Sequence, residues 1–268
     1  SRRVRTKLSC VHNHKAALYL YHQRKAAGTT VRELLKQAAS KWAVPFYETE
    51  GLTIQNQFSD TYLLQHPQET LAADSESASV FSVTSLRHPV DRIVSLYWYE
   101  HVAWFDEVLH QPHKIKPFHE WVAAWADGSR FKQNFVQRSP GSVYVEVQNC
   151  YLKSLIGWRG SILQGSTLTE ALAQAKRTLV SFDLVVLSER LSEQSHREYI
   201  SSLLSPASAT LQARAPSALV SSDKKARIRL AHLMTREAET LAELHRLNAA
   251  DIELYRYAQE LVAAREAA

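Results

Sequence analysis

Few folds accommodate the stretch from Ala16 to Trp42. Ala16 to Tyr21 is an unbroken apolar run of strand length, and Val31, Leu34, Leu35, Ala38, Ala39 and Trp42 recur at the spacing of one helix face. Between them lies His22-Gln23-Arg24-Lys25-Ala26-Ala27-Gly28-Thr29-Thr30, which holds one of only seven glycines in the chain. A buried strand therefore turns sharply through Gly28 into a helix, with Thr30 and Glu33 at the spacing of a capping box. Such a helix start offers unpaired N–H groups and the positive end of the helix dipole, which suit a phosphate. Lys25 and the hydroxyls of Thr29 and Thr30 would complete an anion cradle. The residue order separates it from the nucleoside-triphosphatase loop, G-x-x-x-x-G-K-[ST], whose lysine follows the second glycine. Here Lys25 precedes the only glycine.

A second strand-to-helix turn repeats the theme. Val80 to Leu86 is apolar and β-branched, Pro89 suits a first helical position, and Val90, Ile93, Val94, Tyr97, Trp98 and Val102 follow at helical spacing. Arg87 falls at the strand end and Ser95 two turns into the helix. An arginine fork with a hydroxyl suits a phosphate dianion, while Arg92 suits a surface ion pair. Strands are expected at 16–21, 44–48, 80–86 and 182–188. Helices are expected at 30–42, 89–105, 117–126, 143–156, 168–180, 190–204, 225–246 and 249–264. This alternation predicts an α/β fold: one domain with a central, mainly parallel sheet flanked by helices, and phosphate ligands at the carboxyl ends of its strands.

The first turn resembles the 5′-phosphosulfate loop of sulfotransferases that use 3′-phosphoadenosine-5′-phosphosulfate (PAPS), H-x-P-K-x-A-G-T-T. His22, Lys25, Ala27, Gly28, Thr29 and Thr30 match, while Arg24 replaces the proline and Ala26 a threonine. The second resembles that family's 3′-phosphate motif, L-R-d-P-v-x-R-x-x-S-x-Y. Leu86, Arg87, Pro89, Val90, Arg92, Ser95 and Tyr97 match, and His88 stands for the aspartate. Weaker likenesses follow. Asn149 to Gly157, with Lys153, is similar to N-x-x-T-[RK]-x-L-x-G; Phe182 to Arg190 to F-D-x-V-x-L-x-E-R; and Asn248 to Tyr255 to N-x-x-D-x-x-L-Y. The resemblance spans roughly residues 15–262 and is to the Golgi-type carbohydrate branch.

That resemblance implies the P-loop-like PAPS sulfotransferase fold over residues 15–264, behind a basic arm at 1–14. It implies PAPS as donor, 3′-phosphoadenosine 5′-phosphate as product, a carbohydrate hydroxyl as acceptor, and no required metal. Arg24, Lys25, Ala27, Gly28, Thr29 and Thr30 would hold the 5′ end of the donor, and Arg87 with Ser95 its 3′-phosphate. Lys25 would offset charge on the leaving phosphate. For the general base, His66, 21 residues before Arg87, competes with Glu48 and Glu50 after the second strand. His22 would support the loop. A protein tyrosine or small alcohol as acceptor, or a non-catalytic nucleotide- or glycan-binding role, are the alternatives.

The 268 residues carry a net charge of +5 beside 12 histidines, consistent with a polyanionic donor. No basic run or recognition motif points to nucleic acid. Cys10 and Cys150 allow one disulfide, though Cys150 on an apolar helix side equally suits a buried thiol. His110, His113 and His119 show no zinc-ligand spacing. Phe118, Trp121 and Trp125 read as core; Trp104, amid His101, Asp106 and Glu107, is the better candidate for a ring facing the acceptor, with core packing as the alternative. Residues 72–79 and 205–223 read as loops, and 263–268 as a fraying end. With no run of 18 apolar residues, no membrane span is expected. The resemblance places a eukaryotic chain lacking its N-terminal anchor in the Golgi lumen, and any other in the cytoplasm.

Overall fold

The computed structural model describes residues 16–23, 25–50, 79–126, 147–156, 167–204 and 237–267. Among these, four strands form one parallel sheet: β1 (Ala16–His22), β2 (Phe46–Glu50), β3 (Ser79–Leu86) and β4 (Leu184–Leu187), in the order β2-β1-β3-β4. All four expected strands are present. The inner strand β1 and the short β4 read as continuous apolar runs because both sheet faces are covered there, whereas the edge strand β2 carries Glu48, Thr49 and Glu50. Leu18 and Leu20 of β1, with Phe81 and Val83 of β3, pack against α1 (Gly28–Trp42) through Val31, Leu35, Ala38 and Trp42. The alternate residues Tyr19, Tyr21, Val80 and Leu86 face the other way. They meet α4 (Cys150–Ile156), α5 (Leu168–Ser181) and the last helix, α8 (Ala249–Glu266).

A third cluster lies beyond β3. It joins α2 (Pro89–Leu96), α3 (Phe118–Ala126) and α7 (Ala238–Leu247). Phe118, Trp121 and Trp125 are all buried within it, as expected of a core stripe. On the first face, a 3₁₀ turn (Ser188–Ser192) leads from β4 into α6 (Gln194–Leu204).

Several boundaries depart from expectation, for local reasons. The single helix expected over 89–105 is α-helical only to Leu96, then widens into a π-helix over Tyr97–Val108. The wider turn stacks residues four apart: the Tyr97 and His101 rings lie 5.7 Å apart, and those of His101 and Phe105 5.1 Å. The Thr30–Glu33 capping box does not form. Helix α1 starts earlier, at Gly28, because Ala27 is left-handed (φ 62°) and its carbonyl already accepts from Thr30 N and Val31 N. The box forms instead at Thr167 and Glu170, opening α5. Arg92 is fully buried rather than a surface ion-pair partner, with its guanidinium 5.5 Å from the Tyr151 ring. The end does not fray at Ala263. Helix α8 continues to Glu266, whose carboxylate takes His196 Nδ1 at 2.6 Å and Arg190 at 2.9 Å.

Candidate active site

Strand order decides where the two phosphate-like turns meet. The chain steps from β1 to β2 on one side, then returns to lay β3 on the other side of β1. The direction of winding reverses between β1 and β3, and in open α/β sheets ligands bind at the carboxyl ends of the strands at such a point. The Gly28 turn leaves β1, and Arg87 immediately follows β3. The sheet thus brings together two motifs that stand 59 residues apart in sequence.

The first turn is strained. Lys25 (φ 61°) and Ala27 (φ 62°) are left-handed without being glycine, a conformation that costs roughly 1 kcal/mol or more per residue. The turn is closed by Ala26 N donating to Gln23 O at 3.2 Å. It leaves the N–H groups of Gly28 and Thr29, at the start of a 15-residue helix, without an acceptor among the described residues. Lys25 is half-buried, and its Nζ lies 3.7 Å from the centre of the Tyr99 ring. Thr29 is exposed and Thr30 half-buried.

Gly28 is required for space. A Cβ there would overlap the imidazole of His22, which is buried. That ring cannot swing aside freely. Its Nδ1 sits 3.1 Å from Glu48 Oε1 and 3.1 Å from Arg32 Nη2, and Arg32 Nε donates to both Glu48 oxygens at 2.7 and 2.6 Å. Gly28→Ala is accordingly expected to destabilise the fold by about 1–3 kcal/mol, the scale of overpacking. Denaturant midpoints check this, and an unchanged midpoint would mean that the His22 ring is not fixed there.

Glu48 lies within this network. Partial burial alone would raise its carboxyl, but hydrogen bonds from His22 and Arg32 and the charge of Arg32 outweigh that and hold it down at about 2. A folded pKa below the unfolded value gives stability that is present above about 4.5 and lost as pH falls from there toward 2. Discounted for partial exposure, the contribution is about 1 kcal/mol. Glu48→Gln should therefore flatten the acid limb of stability between pH 4.5 and 2. A limb as steep as the parent's would remove Glu48 from the network.

The second turn is clamped by α4. Tyr151 Oη donates to Arg87 O and accepts from Arg87 N, both at 3.0 Å. His88 N donates to Glu189 Oε1 at 2.7 Å, and Tyr255 Oη donates to Glu189 Oε2 at 2.6 Å. The His88 ring packs on Tyr255, and its pKa is lowered, first by burial, against the pull of Asp91 and Glu189. The Arg87 side chain is half-buried, and among the described residues no carboxylate pairs with it. Ser95 lies on α2, partly exposed.

Helix α4 also holds the first turn. Gln23 Nε2 donates to Ser154 Oγ at 2.8 Å, and Tyr21 Oη lies 2.7 Å from the same oxygen. One short helix thus braces the ends of both β1 and β3. Its own start is fixed by Asp251, which accepts from Tyr151 N at 2.9 Å and Leu152 N at 2.8 Å. Burial pushes the Asp251 carboxyl up to about 6, against those two N–H groups and the nearby charges of Arg92 and Lys153. Asn248 adds a bond from Asn149 N at 3.0 Å and donates to Val147 O at 2.8 Å.

Lys25, Ala27, Gly28, Thr29 and Thr30 thus form one turn, with Arg87 at the neighbouring strand end and Ser95 on the helix that follows it. Glu48 lies beside this turn, engaged by Arg32 and His22. Glu50 ends β2; Arg24, His66, Cys10 and the stretches expected to be loops, 205–223 and 72–79 as far as residue 78, lie outside the described residues. Cys150 is buried on α4. Trp104 is half-buried on the π-helix. Sequence reasoning missed Arg32, Tyr99, Tyr151, Ser154 and the bracing by Glu189. Of these, Arg32 carried a usable signal: it follows Gly28 by four and so shares its helix face.

No group of three metal-ligating side chains gathers among the described residues, and no helix there is long and apolar enough to cross a membrane. The family model described as the sulfotransferase family matches residues 11–258. No curated protein and no solved structure gives a match.

Proposed function

This chain belongs to the sulfotransferase family, and on that premise we propose that it transfers a sulfuryl group from PAPS to a carbohydrate hydroxyl. The observation that carries the reading is the placement of the Gly28 turn and Arg87 at the carboxyl ends of neighbouring strands. On one side stand the N–H groups of Gly28 and Thr29, without an acceptor among the described residues, with Lys25; on the other stands Arg87, with no carboxylate partner among the described residues. A donor with phosphate at both its 5′ and 3′ positions would fit that pairing, because the Gly28 and Thr29 N–H groups have no acceptor, and the Arg87 guanidinium no carboxylate, among the described residues. A guanidinium left without a carboxylate is suited to a phosphate.

The donor, when bound, supplies the sulfuryl group. Negative charge then gathers on the 5′-phosphate side, and the Lys25 ammonium and the Gly28 and Thr29 N–H groups are placed to stabilise it. Arg87 and Ser95 would anchor the far phosphate and fix the register. The acceptor hydroxyl needs a base. Glu48 already accepts three hydrogen-bond contacts and is held at about 2, which makes it a poor proton acceptor near neutrality. That favours His66 or Glu50 for the role.

Calorimetric titration with 3′-phosphoadenosine 5′-phosphate, beside AMP and ATP–Mg²⁺, tests the donor. Binding of the bisphosphate well above both controls is the expected result, and preference for ATP–Mg²⁺ would overturn the reading. Sulfate transfer from PAPS to a panel of neutral and acidic glycans, a tyrosine peptide and small alcohols tests the acceptor class.

A further inference from the structure

We infer that Tyr99 is a positioning residue for Lys25, a role that rests on the reading of Lys25 given above. The Lys25 Nζ sits 3.7 Å from the centre of the Tyr99 ring, well inside cation–π range. Lys25 leaves a left-handed turn (φ 61°) on a long, flexible side chain. Such a stem samples many rotamers unless its charged end is held in place. The ring face narrows that choice. It attracts the ammonium through the ring quadrupole and brings no opposing formal charge of its own.

The position of Tyr99 along its helix strengthens the case. Ser95 and Tyr99 are four residues apart where α2 passes into the π-helix, so they lie on one side, about one turn apart. One helix therefore presents a hydroxyl for the 3′-phosphate and a ring for the lysine of the 5′ side. The spacing between the two ends of the donor is then set by a rigid element rather than by two loops. The Tyr99 ring is 59% exposed. It fills no core space, so packing does not explain an aromatic residue there, and its replacement leaves no cavity.

The test is a binding cycle on the full chain with 3′-phosphoadenosine 5′-phosphate as probe, over the parent, Tyr99→Leu, Tyr99→Phe, Lys25→Ala and Lys25→Ala/Tyr99→Leu. Tyr99→Leu is expected to weaken the bisphosphate about three- to tenfold, with an unchanged thermal midpoint. Tyr99→Phe keeps the ring face and should recover most of the affinity. In the Lys25→Ala background, Tyr99→Leu should have no further effect, because the ring acts only through the lysine. The Lys25 Hε resonances should be ring-shifted upfield in the parent and Tyr99→Phe, and not in Tyr99→Leu. Affinity unchanged or tightened in Tyr99→Leu, or an equal loss with and without Lys25, overturns the inference while leaving the function standing. A parent protein that binds no bisphosphate overturns both.

Discussion

Lys25→Ala should lower the rate of sulfate transfer by about 10²–10³-fold, the effect of removing one fixed donor from a site of developing charge. The substitution leaves the turn in place. Its backbone is held by the Ala26–Gln23 bond and by Gln23 on Ser154, neither of which uses the lysine side chain. Alanine is already tolerated in the left-handed conformation two residues on, at Ala27. The fold should therefore lose no more than about 0.5 kcal/mol, the range of a surface change. The measurement is single-turnover transfer from PAPS to whichever panel acceptor the parent sulfates, with thermal unfolding alongside. Lys25→Arg is a useful companion, since a planar fork does not replace a compact ammonium. Transfer at the parent rate in Lys25→Ala would refute the proposed mechanism.

Arg87→Ala should weaken 3′-phosphoadenosine 5′-phosphate by about 1.5–3 kcal/mol, the worth of a hydrogen bond to a charged group, or about 10- to 150-fold. The 5′-monophosphate AMP should lose almost nothing. That contrast matters more than the size of the loss, because it assigns Arg87 to one end of the ligand. The interpretation is clean because the Arg87 backbone is gripped by Tyr151 through both N–H and C=O. Truncating the guanidinium leaves that grip intact, so the loop should not move. Equal losses for the two nucleotides would mean that Arg87 supports the crevice as a whole.

The sequence was most readable where both faces of an element are buried. Strands at 16–21 and 80–86 could be placed because a strand covered on both sides is apolar along most of its length, while the edge strand expected at 44–48 runs Phe46–Glu50, into polar residues that carry no such signal. The order of the strands was not readable from any single segment, since it depends on which edge β3 joins. The two strand-to-helix turns of the candidate site, at Gly28 and Arg87, whose anion binding is the proposal, were readable as turns, because an apolar run gives way to helical spacing at each. Their support was not. Arg92 looks like any charged residue on a helix, and only the packing of α2 on Tyr151 shows it to be buried. Glu48 reads as a free carboxylate until Arg32 and His22 are seen to hold it. The capping spacing occurs at both Thr30 and Thr167, and the left-handed Ala27 decides that only the second is used.

Asp251 gives the order of events during synthesis. The chain emerges with β1, its turn and β3 first, yet the helix that braces both strand ends has its own first turn held by a carboxylate about 100 residues further on. Until Asp251 and Asn248 leave the ribosome, the N–H groups of Tyr151 and Leu152 lack their acceptor. The Tyr151 hydroxyl then has no fixed position from which to grip Arg87. At the usual pace of about 5–20 residues per second, that interval lasts seconds after β3 has appeared. Both turns lean on this one helix, through Ser154 and through Tyr151, so a nascent chain completes the brace of each only after Asp251 has emerged, and on the proposed reading donor binding would report completion of the C-terminal helix.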